Sequence, residues 1–143
     1  GNWGFLYDEN RNEAEIAPVY DCGSCLYPQA DEAIMRDTID KQPERDFRTF
    51  SIPLSSIKVN GKKINYFDFI SSLENADCNK ALKRILPKIN MDAIFRIVDE
   101  TPFISDLQKQ FYKTMLRTRK ERILDFAMEK LRKREKAKEL EAR

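Results

Sequence analysis

Asn2-Trp3-Gly4-Phe5-Leu6-Tyr7-Asp8, followed by Ala17-Pro18-Val19-Tyr20-Asp21-Cys22-Gly23-Ser24-Cys25-Leu26, is the stretch on which the reading of this chain turns. Trp3 to Tyr7 is short, aromatic and apolar, and the polar run Asp8-Glu9-Asn10-Arg11-Asn12 behind it is a turn. Glu13 to Val19 follows, with Glu13 and Glu15 alternating against Ala14 and Ile16, which predicts a half-buried strand. Pro18 belongs at a strand end or edge, because proline cannot donate to a ladder. Two strands and a turn make a hairpin, and a hairpin brings its own ends together. Asn2 stands just before the first strand and Asp21 just after the second. An amide oxygen and a carboxylate are therefore expected to converge, and such hard donors suit Mg²⁺.

At these residues the chain resembles the HipA-like Ser/Thr kinases. Their C-terminal part carries a D-x-H-x-x-N catalytic loop, a hairpin, and then a segment like A-P-x-Y-D-x-G-x-S-L. Asn2 would close the first motif, and Ala17 to Leu26 matches the second. Cys25 stands where that segment usually has a small or hydroxyl residue. The motif's catalytic Asp precedes its Asn by five residues, so here it is expected before Gly1, and none is assigned within the chain. The resemblance implies that Asn2 and Asp21 hold Mg²⁺ and, with Gly23, take part in binding ATP, the metals offsetting phosphate charge. Gly23 would let the backbone turn tightly after Asp21. It further implies transfer of the γ-phosphoryl group to a Ser or Thr of a protein substrate. The family includes toxins, so a DNA-binding antitoxin is an implied partner of the full protein. The chain is read as a C-terminal fragment, expected to be inactive alone.

Composition narrows the alternatives. A chain of 143 residues can bury one core but is short for a two-lobed kinase. Four Gly leave little material for a phosphate cradle, and no Gly-rich phosphate loop is recognisable. No run of about 18 apolar residues exists to span a membrane. Three Cys, an odd count, favour a reducing, cytoplasmic setting. The absence of His excludes His-based triads, general bases and His metal ligands within the chain.

Past the first hairpin, residues 27–50 have few apolar anchors and are expected to be irregular, with one short helix around Asp31 to Asp40. Asn60-Gly61 between Ile57-Lys58-Val59 and Lys63-Ile64 predicts a second, tight hairpin. Helices should follow. Asn65 caps one carrying Phe67, Ile70 and Leu73; Asp77 caps one carrying Ala81, Leu82, Ile85 and Leu86, stopped by Pro87. Asn90 caps Met91 to Asp99. Ser105 with Gln108 is a capping box before one long helix, whose Phe111, Met115, Ile123, Phe126, Ala127 and Leu131 form an apolar stripe. The fold class is α+β, mostly helical, like a kinase C-lobe. The domain is read as single over 1–143: hairpin and metal segment 1–26, irregular 27–50, helical body 51–131, solvated helix end 132–143.

Two further motifs get plain readings. Cys22-x-x-Cys25 lacks the ligands for zinc, with only Cys78 besides, and lacks a thioredoxin-like βαβ setting, so both are expected as small packing residues. Residues 109–143 hold thirteen Lys/Arg against six Asp/Glu, while 1–108 hold thirteen against eighteen. The basic helix is nonetheless expected to be a solvated face, since Glu129–Lys133 and Glu139–Arg143 have the order and spacing of intrahelical pairs. Direct nucleic-acid binding is not expected. The rival reading is a non-catalytic helical module that binds a protein or nucleic acid through this helix.

Overall fold

Asparagine and serine start most helices of this chain, because their side-chain oxygens accept the otherwise orphaned N–H groups of a first turn. The computed structural model describes residues 4–52 and 55–142. Its elements are strands β1 (Phe5–Asp8), β2 (Glu13–Ile16), β3 (Lys58–Val59) and β4 (Lys62–Lys63), and helices α1 (Glu32–Asp40), α2 (Gln42–Asp46), α3 (Tyr66–Ser72), α4 (Ala76–Ile85), α5 (Met91–Glu100), α6 (Asp106–Arg119) and α7 (Phe126–Glu141). Asn65 accepts from the Asp68 N–H, Asn90 from Ala93, and Ser105 from Gln108 within a complete capping box, as the spacing predicts. The α4 cap is Asn75, accepting from the Cys78 N–H, and Asp77 sits in the first turn, where its charge faces the positive helix end. That corrects the expected cap by two residues.

The fold is mostly helical, with two small antiparallel hairpins, as expected. It divides into two compact units, residues 1–30 and residues 31–143. The first holds the β1–β2 hairpin, and both its strands are exposed throughout, including the stretch expected to be half-buried. A lone two-stranded ribbon has no second layer of its own on which to bury a face.

The second unit holds the core, and its first part is more ordered than the sequence suggests. Residues 42–50, expected to be irregular, are helical: α2 runs on into a π-helical turn, Phe47–Ser51. Polar side chains hold this stretch where apolar anchors are few. Thr49, almost fully buried, donates to the Arg45 carbonyl at 2.7 Å, and Arg48 pairs with Glu44 at 2.9 Å. Pro43 falls in the first turn of α2, the one place in a helix where a missing N–H costs nothing.

The long C-terminal helix is the spine, with α1 and α5 packed on α6, and α3 and α4 on α7. It is interrupted by a π-helical turn, Lys120–Asp125. Its buried positions are Phe111, Met115, Thr118, Ile123, Ala127 and Leu131, with Met128 beside them. The step from Thr118 to Ile123 is five residues, which an α-helix would carry off the stripe and a π turn keeps on it. An uninterrupted helix would point Arg122 and Phe126 inward. Instead Phe126 is 45% exposed, which corrects its expected place in the core, whereas Phe111 and Met115 are fully buried and Ile123 is 7% exposed.

Candidate functional site

The first hairpin is aligned by Phe5↔Ile16, Leu6↔Glu15, Tyr7↔Ala14 and Asp8↔Glu13. Its turn is closed by side chains. Asp8 Oδ1 accepts from the Asn10 and Arg11 N–H groups, and Tyr7 donates its hydroxyl proton to Asn12, which has a left-handed backbone (φ 51°). Asp8 and Glu13 face each other as like charges, and Arg11, 3.6 Å from Asp8, offsets part of the repulsion.

At the open end, the Ala17 N–H donates to the Gly4 carbonyl at 2.9 Å. The ladder stops there, as Pro18 has no N–H to continue it. No regular element is assigned from there through Tyr20, whose hydroxyl lies 3.8 Å from where a Gly4 Cβ would stand. Tyr20 therefore folds back on the start of β1, and Asp21 is the next residue. Asn2, expected to meet Asp21 there, lies outside the described residues.

Asp21 is exposed and has a left-handed backbone, φ 49°. Asp is one of the few L-residues to visit that region readily. The sharp change of direction expected of Gly23 thus falls at Asp21 itself, and among the described residues Gly61 is the glycine with positive φ. Directly behind Asp21, Cys22 to Cys25 form one hydrogen-bonded turn, the Cys25 N–H donating to the Cys22 carbonyl at 3.0 Å. Both cysteines are exposed, which overturns their expected role as packing side chains. Among the described residues no group of three or more His, Cys, Asp or Glu is arranged to hold a metal by itself. Mg²⁺ in nucleotide sites commonly takes only one or two carboxylates from the protein, with phosphates and water completing its shell. An exposed carboxylate on a sharp turn fits that donor set.

The basic C-terminal helix is largely occupied with its own fold. Arg119 reaches the Arg48 and Ile52 carbonyls, Arg122 pairs with Asp46 and lies 4.8 Å over the Phe50 ring, and Lys120 holds Asp125. Lys130 donates to the Ser71 carbonyl and Arg134 to that of Leu73. Lys133 pairs with Glu129 at 2.6 Å, as its spacing predicts, and holds the Glu129 carboxyl below its usual range. Arg143, the proposed partner of Glu139, lies outside the described residues. No helix among the described residues is long and apolar enough to cross a membrane.

No family model matches the chain. It is 48% identical over 128 residues to the serine/threonine-protein kinase CtkA of Helicobacter pylori (strain J99), which covers 89% of this chain and 39% of that protein. The crystal structure of the Helicobacter pylori proinflammatory kinase CtkA superposes with a TM-score of 0.83 at 46% identity, over 92% of this chain and 49% of that one. The chain thus spans less than half the length of the relatives it matches. Identity of this order, on a shared fold, makes the chain a homologue of part of CtkA, and so a kinase-related protein.

Proposed function

We propose that this chain is the C-terminal part of a HipA-like Ser/Thr protein kinase and carries the Mg-ATP-facing turn of its active site. The observation that carries the reading is Ala17-Pro18-Val19-Tyr20-Asp21-Cys22-Gly23 standing directly after a hairpin, in a chain 48% identical to a Ser/Thr kinase. Asp21 and Asn2 are the residues that hold Mg²⁺. When bound, the metal neutralises charge on the phosphates. The Gly4–Ala17 bond closes the hairpin's open end, and Tyr20, the residue before Asp21, reaches back to Gly4. Asp21's left-handed turn lifts its carboxylate clear of the strand, and Gly23 keeps the following backbone free of side-chain bulk where the nucleotide approaches. The group that accepts the substrate's hydroxyl proton is an Asp ahead of Gly1. The substrate class is a protein bearing Ser or Thr, and the partner class that goes with this reading is a DNA-binding antitoxin.

The test is phosphoryl transfer. A full-length protein containing this chain, given Mg-ATP and a generic protein substrate, should phosphorylate it. Asp21→Ala should lower kcat on the order of 10²–10³-fold, as loss of one preorganised electrostatic contact to a transition state does. Residues 1–143 alone should give no transfer above a blank, because positioning supplies most of this catalysis. Full activity in the Asp21→Ala protein would overturn the assignment.

A further inference from the structure

Cysteine is among the residue types most often buried, and an exposed unpaired thiol is normally avoided. This chain has three cysteines and treats them differently. Cys78 is half-buried at the start of α4, and burial pushes its thiol up. Cys22 and Cys25 are both exposed. They occupy the first and last positions of a single hydrogen-bonded turn, with Gly23 and Ser24, two strong turn formers, between them. Ends of such a turn lie within about 7 Å, Cα to Cα, and disulfides span about 4.4–6.8 Å. The Cys22 sulfur now leans toward the Tyr20 carbonyl, 3.8 Å away. For an exposed side chain, the rotation that would turn it toward Cys25 takes only picoseconds to nanoseconds. Packing does not explain the pair, and among the described residues no group of three or more metal-ligating side chains is arranged there to make it a metal site.

We infer that Cys22 and Cys25 are a reversible dithiol–disulfide pair, oxidised by low-molecular-weight disulfides, that constrains the Asp21 turn when closed. One protein thiolate attacks a sulfur of the small disulfide, forming a mixed disulfide and expelling one small thiolate. The second protein thiolate then attacks the protein sulfur of that mixed bond and expels the other. The protein loses two electrons and two protons, and the small disulfide becomes two thiols. The closed ring spans only four residues and begins at the residue bonded to Asp21. It removes freedom from the segment whose carboxylate must adjust to a metal. This regulatory part rests on the kinase reading; the chemistry of the pair does not.

Oxidised glutathione is the probe. The reduced chain should lose two hydrogens in mass without retaining glutathione, peptide mapping should place the link between Cys22 and Cys25, and dithiothreitol should reverse it. Cys78→Ser should oxidise in the same way, whereas Cys25→Ser should stop at a stable glutathione adduct. A persistent adduct on the parent chain, or a link through Cys78, overturns the pair. Mn²⁺ affinity, measured on reduced and oxidised full-length protein, then reads the consequence. Affinity at least about tenfold weaker in the oxidised form supports the switch, and equal affinity overturns it. If neither form binds Mn²⁺, both the metal assignment of Asp21 and the switch fall, while the mass readout still decides the pair.

Discussion

Phe111 and Phe126 are the same residue type on the same long helix, and the structure gives them opposite environments. Phe111 is fully buried; Phe126 is 45% exposed and meets chiefly the Phe67 ring, 5.5 Å between centroids. Phe111→Ala should destabilise by about 3–5 kcal/mol, the usual cost of emptying a buried Phe site. Phe126→Ala should cost clearly less, about 1–3 kcal/mol, the aromatic pair together with the half of the ring that is withdrawn from water. Denaturant melts of the two variants decide this, and equal losses would mean that Phe126 is as buried in solution as Phe111. The sequence showed both as apolar positions at helical spacing, and that periodicity cannot see a change of phase. Met128, buried beside Leu82 and Ala127, was missed for the same reason. The residue-level features that could be read were those with local causes: the caps at Asn65, Asn90 and Ser105, and the Asn60-Gly61 turn. Asp21's left-handed backbone was not readable, because a nearby Gly is normally the residue that takes such a turn.

Among the elements, the π turn Lys120–Asp125 sets the register of everything after it. It also gives Arg122 its surroundings, turned out of the core onto Asp46 and Phe50. Inserting an Ala after Glu121, an exposed residue of this turn, should lengthen the Thr118–Ile123 step to six residues and rotate Ala127 and Leu131 about 100° away from the core. The insertion should therefore abolish or sharply lower the cooperative melt, whereas deleting Glu121 shortens the step to the four that an α-helix spans in phase and should leave the melt cooperative. Glu121→Ala should stay within about 0.5 kcal/mol of the parent. An insertion variant that melts like the parent would show that the turn does not fix the register. The far end of α7 makes the opposite case. Residues 133–142 bury no apolar side chain; Arg134 donates to the Leu73 carbonyl and Glu135 pairs with Lys83. Ending the chain after Arg132 also removes the Lys133–Glu129 and Arg134–Glu74 pairs and should cost only about 1–3 kcal/mol, the scale of one charged hydrogen bond and a few exposed ion pairs. A loss matching that of Phe111→Ala would mean the tail is docked. Element by element, helix existence was legible because caps and apolar periodicity agree; the helical 42–51 was not, because polar contacts such as Thr49 to the Arg45 carbonyl hold it.

Across the whole molecule, the buried hydrophobic residues among those described fall in one of the two compact units. From Met35 to Leu131 they belong to residues 31–143, while Phe5, Leu6, Tyr7, Ile16, Val19 and Tyr20 of the other unit are exposed. From sequence the chain reads as one domain over 1–143 because its length suits a single core. Its functional content is concentrated differently. The motif that resembles a kinase lies in the unit in which no described residue is a buried hydrophobic. A two-stranded hairpin is at best marginally stable in water, whereas a small domain with a hydrophobic core usually unfolds cooperatively. Residues 31–143 expressed alone should therefore give a single sigmoidal thermal transition by circular dichroism. A peptide of residues 1–30 should melt gradually, without a pre-transition baseline. Methyl and amide NMR dispersion should agree, wide for the first and narrow for the second. A cooperative melt in the 1–30 peptide would mean that its exposed aromatic residues close a core of their own. No transition in 31–143 would mean that its helices cannot bury enough surface without the hairpin unit, and the division of the chain into a folded body and a motif-bearing ribbon would fail.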